Sequence, residues 1–256
     1  MVLIAGIDFA TARADRTWLA VAEAADGRLA VHRLTKVEHD KLFAEPGLVV
    51  AAIDVPLGWP RRFREAVWAH RADKPARLAA PFPERLTDRE VRRRLKPLVP
   101  LTVAADRIGR CVFEAAPLLA RAADAGLQVN PTRSTGRRAV IETYPKGTLR
   151  ALTGEAFLGI RGYRRDPALR TRVLDEVLRP LLALTPPQRA DAVAVADALD
   201  ALLALLTAYA FHLGLVIAPS PEQRHQAAAE GWIYLPSEGA FALLKAAALP
   251  ARGQPP

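Results

Sequence analysis

The sequence predicts an α/β protein: a mixed sheet flanked by helices and interrupted by a basic, mostly helical insertion. Three observations carry this. Apolar runs at Val2–Ala10, Leu48–Ile53 and Arg138–Glu142 read as strands, the second without alternation and so covered on both faces, and an acid stands at or near the end of each. The first is followed by two more strands joined by short turns, and then by a helix that returns the chain to the sheet. After the Leu48 strand, prolines and arginines replace the strand pattern until the sheet resumes near Arg138.

In order, Val2–Ala10 is a strand ending with Asp8. Thr17–Ala22 is a second, and Asp26-Gly27 is a hairpin signal leading into the alternating edge strand Arg28–Leu34. A short helix from about Glu38 to Ala44 precedes the fourth strand, and such a crossover implies parallel pairing with an earlier strand. That strand ends at Asp54, where Pro56, Gly58 and Pro60 stop regular structure. Residues from about Arg61 to Pro131 read as helices broken by prolines, an insertion within one domain of residues 1–256. After the strand ending in Glu142-Thr-Tyr-Pro145, a helix spans Lys146–Leu152, and Asp166-Pro167 starts another in cap-then-proline order. Its apolar positions Leu169, Val173, Leu174, Val177, Leu178 and Leu181 share a face. One long core helix is expected over Pro187–Leu213, with Asp197 and Asp200 on one face and Ala201, Ala204 and Ala208 continuing it.

Composition narrows the function. The chain is 51% apolar and 25% charged, a globular balance. A single cysteine, Cys111, excludes an internal disulfide and a cysteine-based zinc site, and fits a reducing cytoplasm. No secretory leader is visible, because the opening apolar residues are few, lack a basic start and run into Asp8. Ala201–Ala218 is apolar enough to raise a membrane span, but His212 and Gly214 interrupt it, so a buried helix followed by a short strand is expected and no membrane partner. The net charge of +9 points to an anionic partner such as nucleic acid. It is concentrated between Arg61 and Arg110, where fourteen Lys or Arg face six Asp or Glu.

Asp8, Asp54, Glu142 and the pair Asp197/Asp200 stand out as acids in or beside apolar elements. An ionised carboxylate taken out of water costs several kcal/mol unless compensated. Several at comparable positions suggest a cation or a substrate around which they gather. Carboxylates without His or Cys suit Mg²⁺ or Mn²⁺, and such a cluster suits phosphoryl chemistry. The bland readings are that Asp54 caps a turn, that Glu142 is a turn residue, and that Asp200 caps or pairs with an Arg. Trp59 beside Arg61 and Arg62 could stack on a base or pack under its loop; Arg89 and Arg93 would add phosphate contacts, with Asp88 as cap of their helix.

The segments Gly6-Ile-Asp-Phe9, Ile53-Asp-Val-Pro-Leu-Gly-Trp-Pro60, Thr87-Asp-Arg89, Glu142-Thr-Tyr-Pro145, Asp197-Ala-Leu-Asp-Ala201 and Glu230-Gly-Trp-Ile233 resemble domain-of-unknown-function family number 429, described as predicted ribonuclease-H-like nucleases. The resemblance covers nearly the whole chain. It implies a ribonuclease-H-like sheet of five strands, with Asp8 on the central strand. It also implies Asp8, Asp54, Asp197 and Asp200 as ligands of Mg or Mn, with Glu142 as a nearby helper. The Asp-x-x-Asp spacing is similar to that of Holliday-junction resolvases of this fold. The expected activity is hydrolysis of phosphodiester bonds in DNA or RNA. The alternatives are a nucleic-acid-binding protein with structural acids and an actin-like phosphotransferase. The latter is disfavoured because no Gly-rich loop follows Asp8.

Overall fold

The computed structural model describes residues 2–11, 16–25, 28–70, 84–103, 107–133 and 138–247. The hairpin residues Asp26 and Gly27, and residues 71–83 of the expected insertion, lie outside them.

One mixed sheet organises the chain. Its strands are β1 (Val2–Asp8), β2 (Trp18–Ala25), β3 (Arg28–Lys36), β4 (Leu48–Ile53), β5 (Gln128–Val129), β6 (Ala139–Thr143), β7 (Leu182–Ala183) and β8 (Ile233–Tyr234). The order is β5-β6-β4-β1-β2-β3-β7, with β8 also on β6. The expected five-stranded sheet is thus extended by three two-residue strands, too short to carry a sequence period. β1–β2 and β2–β3 are antiparallel; β4 lies parallel to β1, and β6 parallel to β4. Only a three-residue 3₁₀ turn, His39–Lys41, stands where a helix was expected before β4.

Between β4 and β5 lie α1 (Arg61–Ala69), α2 (Leu86–Arg94) and α3 (Arg107–Asp124). After β6 come α4 (Pro145–Thr153) and α5 (Pro167–Val173), which Asp166 caps by accepting from the Ala168 N–H. α5 runs on as a π-helical turn at Leu174–Leu178. The single helix expected over Pro187–Leu213 is two, α6 (Pro186–Ala194) and α7 (Ala196–His212), bent by 114°. Val195 between them has an extended backbone, a break that an apolar stretch of good helix formers does not announce. α8 (Arg224–Glu230) and α9 (Ala240–Ala247) complete the chain. Among the described residues no single helix is long and apolar enough to cross a membrane.

Residues alternate between the two faces of the sheet with period two. Ile4, Val50, Ala52, Ala139 and Ile141 pack toward α7, whereas Ala5, Ile7, Ala51, Ile53 and Val140 pack in the core that includes Ala115, Leu118 and Ala122 of α3. α7 lies directly on the central strand. A Cβ on Gly6 would stand 2.1 Å from the Leu205 nitrogen and 2.2 Å from the Ala201 oxygen, so only glycine permits this approach.

Candidate active site

β1, β4 and β6 run the same way, so their carboxyl ends share one edge of the sheet, where open α/β sheets commonly bind ligands. Asp8 ends β1, and Asp54 follows β4, its N–H bonded to the Ile7 oxygen at 2.9 Å. The register aligns Ile7 with Ile53 and Ile53 with Glu142. Asp8 and Asp54 are therefore one residue beyond the row that contains Glu142, and a one-residue offset reverses the face. The position level with the two aspartates on β6 is Thr143, whose hydroxyl donates to Thr207 of α7 at 3.0 Å. The three strand-end acids are not equivalent.

Glu142 is instead half of a buried ion pair. Arg85 donates to Glu142 Oε1 at 2.7 Å and Oε2 at 2.8 Å, and to Asp88 Oδ1 at 2.9 Å and Oδ2 at 3.1 Å. Burial opposes charge on Arg85, but the two carboxylates outweigh it and raise its pKa. Burial pushes the Glu142 carboxyl up while Arg85 pulls it back. Glu142 Oε2 also accepts from the Leu57 N–H at 2.9 Å, anchoring the loop that follows Asp54. Asp88 accepts from the Arg85 N–H at the start of α2; Arg85, not Asp88, is the capping residue, and Asp88 closes the capping box from the third helical position. Nearby, Glu230 accepts from the N–H groups of Arg61 and Leu86, both at 2.8 Å, and so caps α1 and α2 together.

The break between α6 and α7 puts a helix N-terminus beside the aspartates, with Asp197 in its first turn. Asp200, one turn on, is fully buried; Oδ1 accepts from the Tyr163 hydroxyl at 2.6 Å, and Oδ2 abuts Arg164 in an ion pair without a well-directed hydrogen bond. Arg164 also donates to Asp197 at 2.7 Å. Arg170 fixes both segments: it donates to the carbonyls of Tyr163 and Arg164, and to those of Val193 and Ala194 at the end of α6.

Electrostatics separate the roles. Burial raises the Asp8 pKa well above its ordinary value, and Asp54 and then Asp197 add to this. Asp54 is pushed up to about 7, chiefly by burial; Arg164 opposes, while Glu142 and Asp197 contribute further. Asp197, rather than Asp200, is the member of the helical pair whose charge is felt at both strand-end aspartates. Tyr144, pushed up to about 12 by burial and then by Asp54, keeps its proton at neutral pH. A cleft of about 270 Å³ opens beside Asp54, lined in part by Tyr144, Leu101, Ile108 and Cys111.

Two cations, Arg85 and Arg164, stand near these acids, both from outside the strands. Thr87-Asp88-Arg89 drew attention to the α2 motif, but no local pattern distinguishes Arg85, Arg164 or Arg170 from the other arginines. The remaining expected residues lie elsewhere. Trp59 stacks on Phe63 and tilts against Phe113, with centroids 5.5 and 5.1 Å away, so it packs within an aromatic cluster. Arg61 pairs with Glu65 and Arg93 with Glu90; Arg89 donates to the Glu84 carbonyl, and Arg62 is exposed on α1.

Among the described residues no three Asp, Glu, His or Cys side chains are gathered closely enough to hold an ion as they stand. The donor chemistry nevertheless suits a hard cation: the Asp54 charge raises Asp8, and Asp197 is a third carboxylate close enough to raise both. Fold and site together define an α/β protein with an acidic cleft at the carboxyl edge of its sheet. The chain belongs to the family described as "Protein of unknown function (DUF429)", whose model matches residues 6–224. Neither the curated proteins nor the solved structures gave a match.

Proposed function

We propose that the protein is a metal-dependent phosphodiesterase or nuclease of ribonuclease-H-like type. The observation that carries this is the pair Asp8 and Asp54 at the ends of adjacent parallel strands, where the Asp54 charge raises the proton affinity of Asp8 and Asp197 raises that of both. Such a pair is poorly placed as a purely structural feature, because like charges in a partly dry cleft destabilise the fold. Asp8, Asp54 and Asp197 would hold Mg²⁺ or Mn²⁺; the ion would supply Lewis-acid stabilisation of phosphoryl oxygens and an activated water.

The chain's own groups do the positioning. Asp197 is held by Arg164, which is half-exposed and offers a guanidinium to a phosphate oxygen once the acids are otherwise neutralised. Tyr144 stays protonated and can donate a hydrogen bond in the cleft. Glu142 and Arg85 keep the loop after Asp54 in place rather than joining the chemistry.

A second reading, a nucleic-acid-binding protein without turnover, is favoured by Arg164 alone, which already supplies positive charge to Asp197 and Asp200. Calorimetric titration of Mn²⁺ into the wild type and Asp8→Asn, with cleavage of labelled DNA and RNA alongside, separates the two. The phosphodiesterase reading expects binding and cleavage in the wild type and neither in the variant. Cleavage that survives in Asp8→Asn and Asp54→Asn refutes it.

A further inference from the structure

Outside the expected basic insertion, a groove of about 800 Å³ opens beside the acids; its charged lining consists of Lys146, Arg161, Arg164 and Arg165. No acid lines it, and among the described residues Lys146, Arg161 and Arg165 have no acidic partner. The contrast with α2 is direct. There Arg92 is held by both oxygens of Glu84, and Arg93 and Arg94 both by Glu90, so much of that helix's charge is spent internally. On α2, then, the net charge of the sequence overstates the charge available on the surface.

Two features give the groove a direction. Lys146 lies in the first turn of α4, which starts directly after β6 and adds the positive end of its helix dipole. Arg164 both lines the groove and contacts Asp197 and Asp200. A chain of phosphates could therefore leave the groove at Arg164 and arrive at the acidic cleft. An isolated anion would use the cations but gain nothing from that continuity.

We propose that this groove is the track for the phosphodiester backbone of a nucleic-acid strand, with Arg161 and Arg165 as its main phosphate contacts and Arg164 as the joint to the carboxylates. The assignment rests on the phosphodiesterase reading for its substrate class, but its test needs neither metal nor turnover.

Binding of a fluorescent DNA strand of about 20 nucleotides is measured by anisotropy in EDTA across a salt series. Arg161→Gln/Arg165→Gln should weaken binding about tenfold or more and reduce the slope of log K against log salt by about 1.4, since each phosphate contact on a single strand contributes about 0.7. Arg89→Gln/Arg93→Gln on α2 should change neither by a comparable amount. Equal losses in both double variants, or none in the groove variant, overturn the proposal. So does displacement of the strand by millimolar inorganic phosphate, which would mark a site for a single phosphate group. Circular dichroism and melting of both variants verify that each is folded. Loss of strand binding with Mn²⁺ binding intact supports the groove assignment, whereas loss of Mn²⁺ binding in Asp8→Asn bears on the acids alone.

Discussion

Asp54→Asn should stabilise the metal-free protein at pH 8 and leave it unchanged at pH 4. The Asp54 carboxyl is pushed from its ordinary 3.8 to about 7, principally by burial, so the folded state binds its proton more tightly than the unfolded chain does. Its contribution to stability is therefore fully present below about pH 4. It is lost as the pH rises through about 7, and the loss is constant beyond. At about 1.4 kcal/mol per tenfold change in proton affinity, the full loss would be about 4 kcal/mol. Asp54 keeps part of its surface in solvent and lies beside other titrating acids, so about half of that, roughly 2 kcal/mol, is the expected gain for Asn. Asn retains the shape and removes the charge, and Asp8 relaxes toward its ordinary pKa once that neighbour is neutral. Urea denaturation of both proteins in EDTA at pH 4, 6 and 8 measures this. Mn²⁺ at pH 8 should restore stability to the wild type but not to Asp54→Asn. Equal stability of the two proteins at pH 8, or a less stable variant, refutes the reasoning, because Asp54 would then be satisfied within the fold.

Three further outcomes are expected. Arg85→Met should cost about 3–5 kcal/mol, since it strands Glu142 and Asp88 in the interior, and its double-mutant cycle with Glu142→Gln should show coupling of about 2 kcal/mol or more. Loss of Mn²⁺ binding in Glu142→Gln with unchanged denaturation would instead mark Glu142 as a ligand. Gly6→Ala should destabilise by about 3 kcal/mol or more, because the added carbon meets the backbone of α7 at 2.1 Å; a denaturation midpoint equal to that of the wild type would contradict the close approach. Arg164→Met should tighten Mn²⁺ binding about fivefold in calorimetry by removing a competing cation worth about 1 kcal/mol; weaker binding would show that Arg164 organises the acids instead.

The period and end signals of the longer strands were legible because they are local. Apolar runs, an Asp at the strand end and the Asp166-Pro167 cap each depend on a few adjacent residues, and β1, β4, β6 and α5 lie where those signals point. The extra strands were not, since two residues carry no pattern and pair only because tertiary packing brings them to an edge. The α6–α7 break was missed for a related reason: Val195 is compatible with a helix, and what holds the chain open there includes Arg170, twenty-three residues earlier, donating to the Val193 carbonyl.

By itself the sequence determined which acids end the strands, and that the small residues Ala201, Ala204 and Ala208 share the face of the late helix that bears Asp197 and Asp200. Tertiary structure alone decided how those acids differ. A one-residue offset in register put Glu142 in a row apart from Asp8 and paired it with Arg85, though its charge still reaches Asp54, and a 114° bend made Asp197 the first-turn acid beside the aspartates while burying Asp200. It also decided which cations are free to meet a ligand. Charge is a local property of the sequence, but whether it is already neutralised depends on partners that only the folded chain brings within reach.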